Sequence, residues 1–123
     1  MASSYSRAWL TLFVLSLAVG SWMLFTPTPD SPALFPNADK IVHGLMFGVF
    51  AATGLLARIS RRYLVPGLAA YAVASELIQR QLLPTRAGDL RDVVADLVGI
   101  ALAVAAVGWV QARAGAGSNR IRG

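Results

Sequence analysis

The chain has 123 residues, the size of a single domain, and its mean hydropathy is +0.59, with 56% apolar and only 14% charged residues. Soluble domains carry about 25% charged residues, so this composition excludes an ordinary soluble fold and indicates a protein surrounded by lipid. The net charge of +5 does not indicate a nucleic-acid partner, because the arginines flank apolar runs and form no basic stripe with interleaved aromatic residues.

The first apolar run, residues 8–25, is about as long as a membrane-spanning helix. We expect it to be a retained anchor and not a cleaved signal peptide, because it ends in the bulky sequence WMLF, which does not suit a small-residue cleavage site. Residues 26–37 contain four of the six prolines, so no helix continues through them. This segment is the predicted first loop.

The second and third apolar runs are joined by a short basic connection. The second run covers residues 41–57, and three arginines follow it, Arg58, Arg61 and Arg62. The third run extends from residue 63 to about residue 83, but its purely apolar part ends near residue 74. A helix needs about 20 residues to span ~30 Å, so a spanning third helix carries Glu76 and Gln79 into the membrane or its interface.

The fourth run, residues 89–111, follows a predicted turn at residues 84–88. Small residues recur every four positions in the second and fourth runs, at Gly44, Gly48 and Ala52 and at Ala95, Gly99 and Ala103. Such stripes allow helix backbones to approach closely, and packing alone explains them. We predict an all-α bundle of four transmembrane helices over residues 1–112, followed by a disordered basic tail over residues 113–123.

The distribution of basic residues predicts the orientation in the membrane. With four crossings and a cytoplasmic N-terminus, the basic residues inside are Arg7, Arg58, Arg61, Arg62, Arg113, Arg120 and Arg122, and those outside are Lys40, Arg80, Arg86 and Arg91. The positive-inside rule favours this arrangement. A rival arrangement, in which the third run enters the membrane and returns, divides the charges equally well. We prefer four crossings because the third run is long enough to span as a continuous helix and because the polar residues then come together.

In this arrangement, polar residues distant in sequence are expected at one depth near the outer face. The second and fourth helices begin there, and the third helix ends there. Within each helix, spacings of three or four residues place the polar side chains on one face. The predicted binding cluster consists of Asp39, Lys40, His43, Glu76, Gln79, Arg86, Asp89, Asp92 and Asp96.

The carboxylates of this cluster have structural explanations beside functional ones. Glu76 lies in an otherwise apolar helix, where an acid usually faces a partner in the bundle interior, although it would also reach the interface by snorkelling. Asp89 and Asp92 have the spacing of an N-cap and its N3 residue, so capping alone would explain both. Asp96 lies one turn deeper, beyond the reach of capping, which favours a functional role.

No motif for a metal ion, a cofactor or a nucleophile is visible. His43 is the only histidine and the chain has no cysteine, so disulfides and thiolate metal sites are excluded and imidazole ligands are scarce. Ser75 precedes Glu76, but no G-x-S-x-G turn or paired base accompanies it. We therefore predict neither a metal site nor a bound cofactor.

Two segments carry a resemblance to a known family. They are DKIVHGLMFGVFA at residues 39–51 and ELIQRQLLPTRAGDLRDVVADLVGIALA at residues 76–103. With the four-run pattern, they resemble the VanZ-like membrane protein family over residues 30–106. Many relatives have an asparagine between the last aspartate and the glycine, whereas this chain has Leu97 and Val98 there. The resemblance implies a bacterial envelope protein in the context of low-level glycopeptide resistance of the teicoplanin type.

The cluster and the resemblance together predict a multi-pass protein of the bacterial inner membrane with both termini in the cytoplasm. Its expected partners are membrane lipids, and with them a cell-wall intermediate or an amphiphilic antibiotic, with Lys40 and Arg86 contacting phosphate groups. Two other classes stay open. One is a membrane-embedded enzyme with Glu76 or His43 as general acid or base, and the other is a structural subunit that docks through its small-residue stripes.

Overall fold

A computed structural model describes residues 4–26, 38–82 and 90–122, the last five of them by their backbone alone. The described chain forms four helices and contains no strand. The helices are α1 (Ser4–Phe25), α2 (Ala38–Leu56), α3 (Arg61–Leu82) and α4 (Leu90–Arg122). The predicted all-α membrane bundle is therefore confirmed.

Three of these helices are long and apolar enough to cross a membrane. They are Ser4–Phe25, Ala38–Leu56 and the part Leu90–Gly117 of α4. The helix α3 has 22 residues, which is about 33 Å of helix, but Arg61 and Arg62 begin it and polar residues occupy its last turns, so its hydropathy is lower. It was also the least apolar run in the sequence.

The main helix contact of the bundle is between α2 and α4, which run in the same direction. Gly44 lies beside Ala95, and Gly48 lies beside Gly99, so the two small-residue stripes face each other. A β-carbon added at Gly99 would collide with the carbonyl oxygen of Gly44. Glycine is therefore required at position 99 for this close approach of two backbones.

The helices α1 and α3 cover the other side of α2. The aromatic rings of Phe47 and Phe50 lie with their centroids 5.0 Å apart, and the ring of Tyr71 from α3 packs on both. The hydroxyl groups of Tyr71 and Ser21 form a hydrogen bond between α3 and α1. Because Phe50 fills the space beside Gly20, a larger residue at position 20 would also displace this aromatic group.

The connection between α2 and α3 is a tight helix end. The Ile59 N–H donates to the carbonyl of Gly54 and the Arg58 N–H donates to that of Leu55, at 3.0 Å each. This pattern is a Schellman motif, and Arg58 has the left-handed φ of 69° that the motif requires. The Ser60 carbonyl then accepts the first hydrogen bonds of α3. The chain thus reverses direction here, and α3 runs antiparallel to α2.

The end of α4 differs from the sequence expectation. Residues 113–123 were expected to form a disordered tail, but α4 continues as a helix through Arg122. The glycines at positions 115 and 117 disfavour a helix, but extending an existing helix costs less than starting one. The 33 residues of α4 correspond to about 50 Å of helix, which is longer than the ~30 Å of a bilayer core.

Candidate functional site

A buried histidine and aspartate form the centre of the candidate site. His43 Nδ1 lies 3.2 Å from Asp96 Oδ1, in a hydrogen bond between α2 and α4. His43 is 7% exposed and Asp96 is 0% exposed. The close backbone contact of Gly44 with Gly99 explains this proximity. No large side chain separates α2 from α4 at this contact, so His43 and Asp96, which lie next to it, come within hydrogen-bond distance.

The second carboxylate oxygen of Asp96 defines what the site offers chemically. This atom, Oδ2, is buried and has no hydrogen-bond partner among the residues that the structure describes. A buried polar atom of this kind is costly unless it is protonated or bonded to another group. Asp96 therefore provides either a proton donor or an acceptor for a group outside the described chain.

Lys40 links this centre to the exposed end of the bundle. Its Nζ lies 3.6 Å from Asp92 Oδ1 on α4 and 3.5 Å from Asp39 Oδ2 on its own helix. The exposed side-chain fractions are 22% for Lys40, 9% for Asp92 and 57% for Asp39. Asp92 lies in the first turn of α4, so it stabilises the helix dipole as well as pairing with Lys40.

The buried face of α3 contributes Glu76 and Gln79. Glu76 is buried, and its carboxylate acts electrostatically on the His43 imidazole, as does that of Asp92. Gln79 has a different role, because its Nε2 donates to the carbonyl of Leu24 at 2.6 Å. Leu24 lies in the last turn of α1, where carbonyls lack helical partners, so Gln79 fastens α3 to the end of α1.

The structure thus brings together five of the predicted site residues, which we call the polar cluster: Lys40, His43, Glu76, Asp92 and Asp96. Asp39 is exposed beside the polar cluster, and its carboxylate pairs with the Lys40 ammonium group. Gln79 is buried at the same end of the bundle but bonds to backbone. Two further predicted residues, Arg86 and Asp89, lie outside the described residues. The predicted capping of α4 by Asp89 therefore stays a prediction.

An apolar groove, which was not predicted from the sequence, borders the polar cluster. Its volume is about 690 Å³, and it lies along the outer side of the contact between α2 and α4. Gly44, Gly48 and Gly99 line it together with alanines, and larger aliphatic side chains form its walls. Among the residues that the structure describes, Lys40 is the only charged one in the lining. The two small-residue stripes were the available signal, since facing stripes leave a furrow between two helices.

The site contains no described set of metal ligands. Among the residues that the structure describes, no group of three or more histidine, cysteine, aspartate or glutamate side chains has the arrangement of a metal site. What the polar cluster offers instead is one imidazole, one ammonium group and three buried carboxylates between α2, α3 and α4.

Comparisons with known proteins add no assignment to this geometry. The chain matches no family model, no curated protein and no solved structure.

Proposed function

We propose that this chain is a VanZ-like protein of the bacterial inner membrane that binds the head group of an envelope lipid or of a glycopeptide-type amphiphile. The observation that carries the proposal is the buried His43–Asp96 hydrogen bond, located one to two turns inside two helices that are long and apolar enough to cross a membrane. Ionisable groups at that depth are costly, and they mark binding or transport sites more often than packing.

The composition of the polar cluster favours a head group over a wholly apolar ligand. Lys40 supplies a cation for phosphate, while the carboxylates of Asp92, Asp96 and Glu76 accept hydrogen bonds from hydroxyl, amide or ammonium groups. Phospholipids, lipid-linked cell-wall intermediates and teicoplanin-type antibiotics all combine such polar groups with a long apolar chain. The resemblance to VanZ-like proteins supports the envelope context.

The proposed orientation has four crossings, with both termini in the cytoplasm and the polar cluster at the outer face. Two observations support it. The helix α3 is continuous over Arg61–Leu82 and is long enough to span ~30 Å. The basic residues around Arg58 lie at the opposite end of the bundle from the polar cluster, where the positive-inside rule places the cytoplasm.

The proposal is tested by susceptibility to envelope-directed antibiotics in a strain that depends on this protein. His43→Ala, Glu76→Gln and Asp96→Asn are each expected to abolish the protein's effect on teicoplanin-type susceptibility at normal membrane levels. Thr53→Val is the matched control, because Thr53 is also buried in α2 but bonds only to backbone carbonyls of its own helix among the described contacts. Unchanged susceptibility in all three cluster variants would exclude the proposal.

A second candidate function follows from the orientation of the imidazole. Asp96 contacts Nδ1 of His43, which is how a carboxylate orients a histidine so that Nε2 serves as a general base. In this alternative the chain is a membrane-embedded enzyme that acts on a lipid-linked substrate. Turnover of purified envelope lipids by the reconstituted chain, lost in His43→Ala, would favour it over binding alone.

A further inference from the structure

The apolar groove has the form of a trough between two helices in contact. Its floor consists of small residues of both helices, and its walls are exposed aliphatic side chains, Ile41, Leu45, Val49, Val98 and Leu102. The trough exists because a glycine or alanine at every fourth position removes the side chains that would fill the furrow. Its volume of about 690 Å³ lies in the usual range of small-ligand sites.

The length of the groove suits a lipid tail. On α2 its lining extends from Lys40 to Ala52, which is about 18 Å of helix. This is roughly half of the ~30 Å hydrocarbon core, or one leaflet. One lipid tail extends through one leaflet only, so the length of a tail matches that of the groove.

The charged end of the groove indicates the polar part of the occupant. Lys40 lines the groove and also pairs with Asp92 of the polar cluster, so the groove opens directly at the cluster. The exposed carboxylate of Asp39 lies 3.5 Å from the same ammonium group. A head group with a phosphate beside an ammonium complements this pair, while a purely anionic head group meets repulsion from the carboxylates.

We infer that the groove binds one acyl chain of a zwitterionic phospholipid of the phosphatidylethanolamine type, with its phosphate at Lys40 and its ammonium toward Asp39. The inference rests on the proposed function and specifies it, because it names the lipid class and the place of its tail. The polar cluster recognises the head, and the trough between α2 and α4 selects a molecule that carries an extended apolar chain beside that head.

The test uses the full chain, titrated with palmitoyl-oleoyl phosphatidylethanolamine in detergent and followed by native mass spectrometry. One lipid is expected to stay bound per chain. Val98→Trp and Leu102→Trp, which fill the groove, are expected to weaken binding at least about tenfold. Val94→Trp and Val110→Trp are the controls, since both residues are exposed on α4 outside the groove, and they should change the affinity less than about twofold.

Head-group selection and location have their own measurements. The matching phosphatidylglycerol should bind more weakly, and Asp39→Asn should reduce the difference, because Asp39 is the exposed carboxylate beside Lys40 that would face the ammonium group. In the unsubstituted chain, a phospholipid with a photoreactive group in its tail should crosslink to residues 41–52 and 95–103. This experiment does not depend on whether a tryptophan variant folds.

Several outcomes would overturn the inference. They are equal loss of lipid in groove and control variants, crosslinks spread evenly over all helices, or a dimer that the groove variants dissociate, which would make a second copy the occupant. The outcomes also separate this inference from the proposed function. If lipid binds in the groove but the cluster variants leave susceptibility unchanged, only the proposed function is excluded. If the cluster variants change susceptibility but no lipid binds in the groove, only the groove assignment is excluded.

Discussion

The carbonyl oxygen of Gly44 occupies the position where a β-carbon at residue 99 would have to be. This contact brings α2 and α4 close enough for His43 to reach Asp96 across the same interface, at 3.2 Å. We call His43 and Asp96 the dyad. The small-residue stripes and the buried dyad are therefore parts of one arrangement, in which backbone packing determines the distance between two ionisable side chains.

The first prediction concerns this glycine contact. Gly99→Ala is expected to lower the free energy of unfolding by about 1–3 kcal/mol, because the added methyl group forces the two backbones apart. Gly48→Ala is the matched control, since its β-carbon would lie 3.4 Å from the carbonyl oxygen of Gly99, an ordinary contact. Unfolding in mixed micelles with increasing sodium dodecyl sulfate measures both variants. Equal effects would contradict the proposed tightness at residue 99.

The second prediction concerns the energy of the dyad. A double-mutant cycle with His43→Ala and Asp96→Ala is expected to give a coupling energy of about 1 kcal/mol, the range of interhelical hydrogen bonds inside membrane proteins. The control cycle combines His43→Ala with Gln79→Ala, because Gln79 donates to Leu24 and not to the dyad. That pair should be additive within about 0.5 kcal/mol. A coupling near zero for the dyad would show that the hydrogen bond adds no stability.

The third prediction concerns the helix end at Arg58, whose φ is 69°. A side chain in the left-handed region is strained by about 1–2 kcal/mol, and glycine removes that strain. Arg58→Gly is therefore expected to be more stable than Arg58→Ala by about 1 kcal/mol. Both variants remove the same positive charge, so their difference reports the backbone alone. The same unfolding measurement applies, and a more stable alanine variant would contradict the assigned helix end.

The fourth prediction concerns the orientation in the membrane. The chain has no cysteine, so single cysteines can be introduced at Ser31, Ser60, Ala87 and Ser118 without background. An impermeant thiol reagent applied to intact cells should label positions 31 and 87 only, whereas all four should react after the cells are opened. Labelling at 31 without labelling at 87 would place the start of α2 and the end of α3 on opposite sides of the membrane. That result would exclude a common outer site.

Much of the helical framework was predictable from the sequence because it depends on local properties. Apolar runs of sufficient length between proline-rich or basic segments locate α1, α2 and α4, and the low hydropathy of the third run was visible from its own residues. The grouping of His43, Asp96 and Glu76 was also expected, since helices of alternating direction return to the same end. Local composition was misleading at residues 113–122, which looked like a polar tail but extend α4.

The tertiary structure decided which polar side chains meet. From spacing alone, Asp39 and His43 lie on one helix face, yet Asp39 is exposed and His43 is buried, because Asp39 lies in the first turn of α2 and His43 one turn deeper in the contact with α4. Likewise, nothing local connects Gln79 with Leu24, or Ser21 with Tyr71. The location of a helix along the chain depends on neighbouring residues, so the sequence alone determined where the helices lie. The rotation and crossing of helices depend on the summed packing of residues far apart in the chain, so only the fold determined the dyad and the groove beside it.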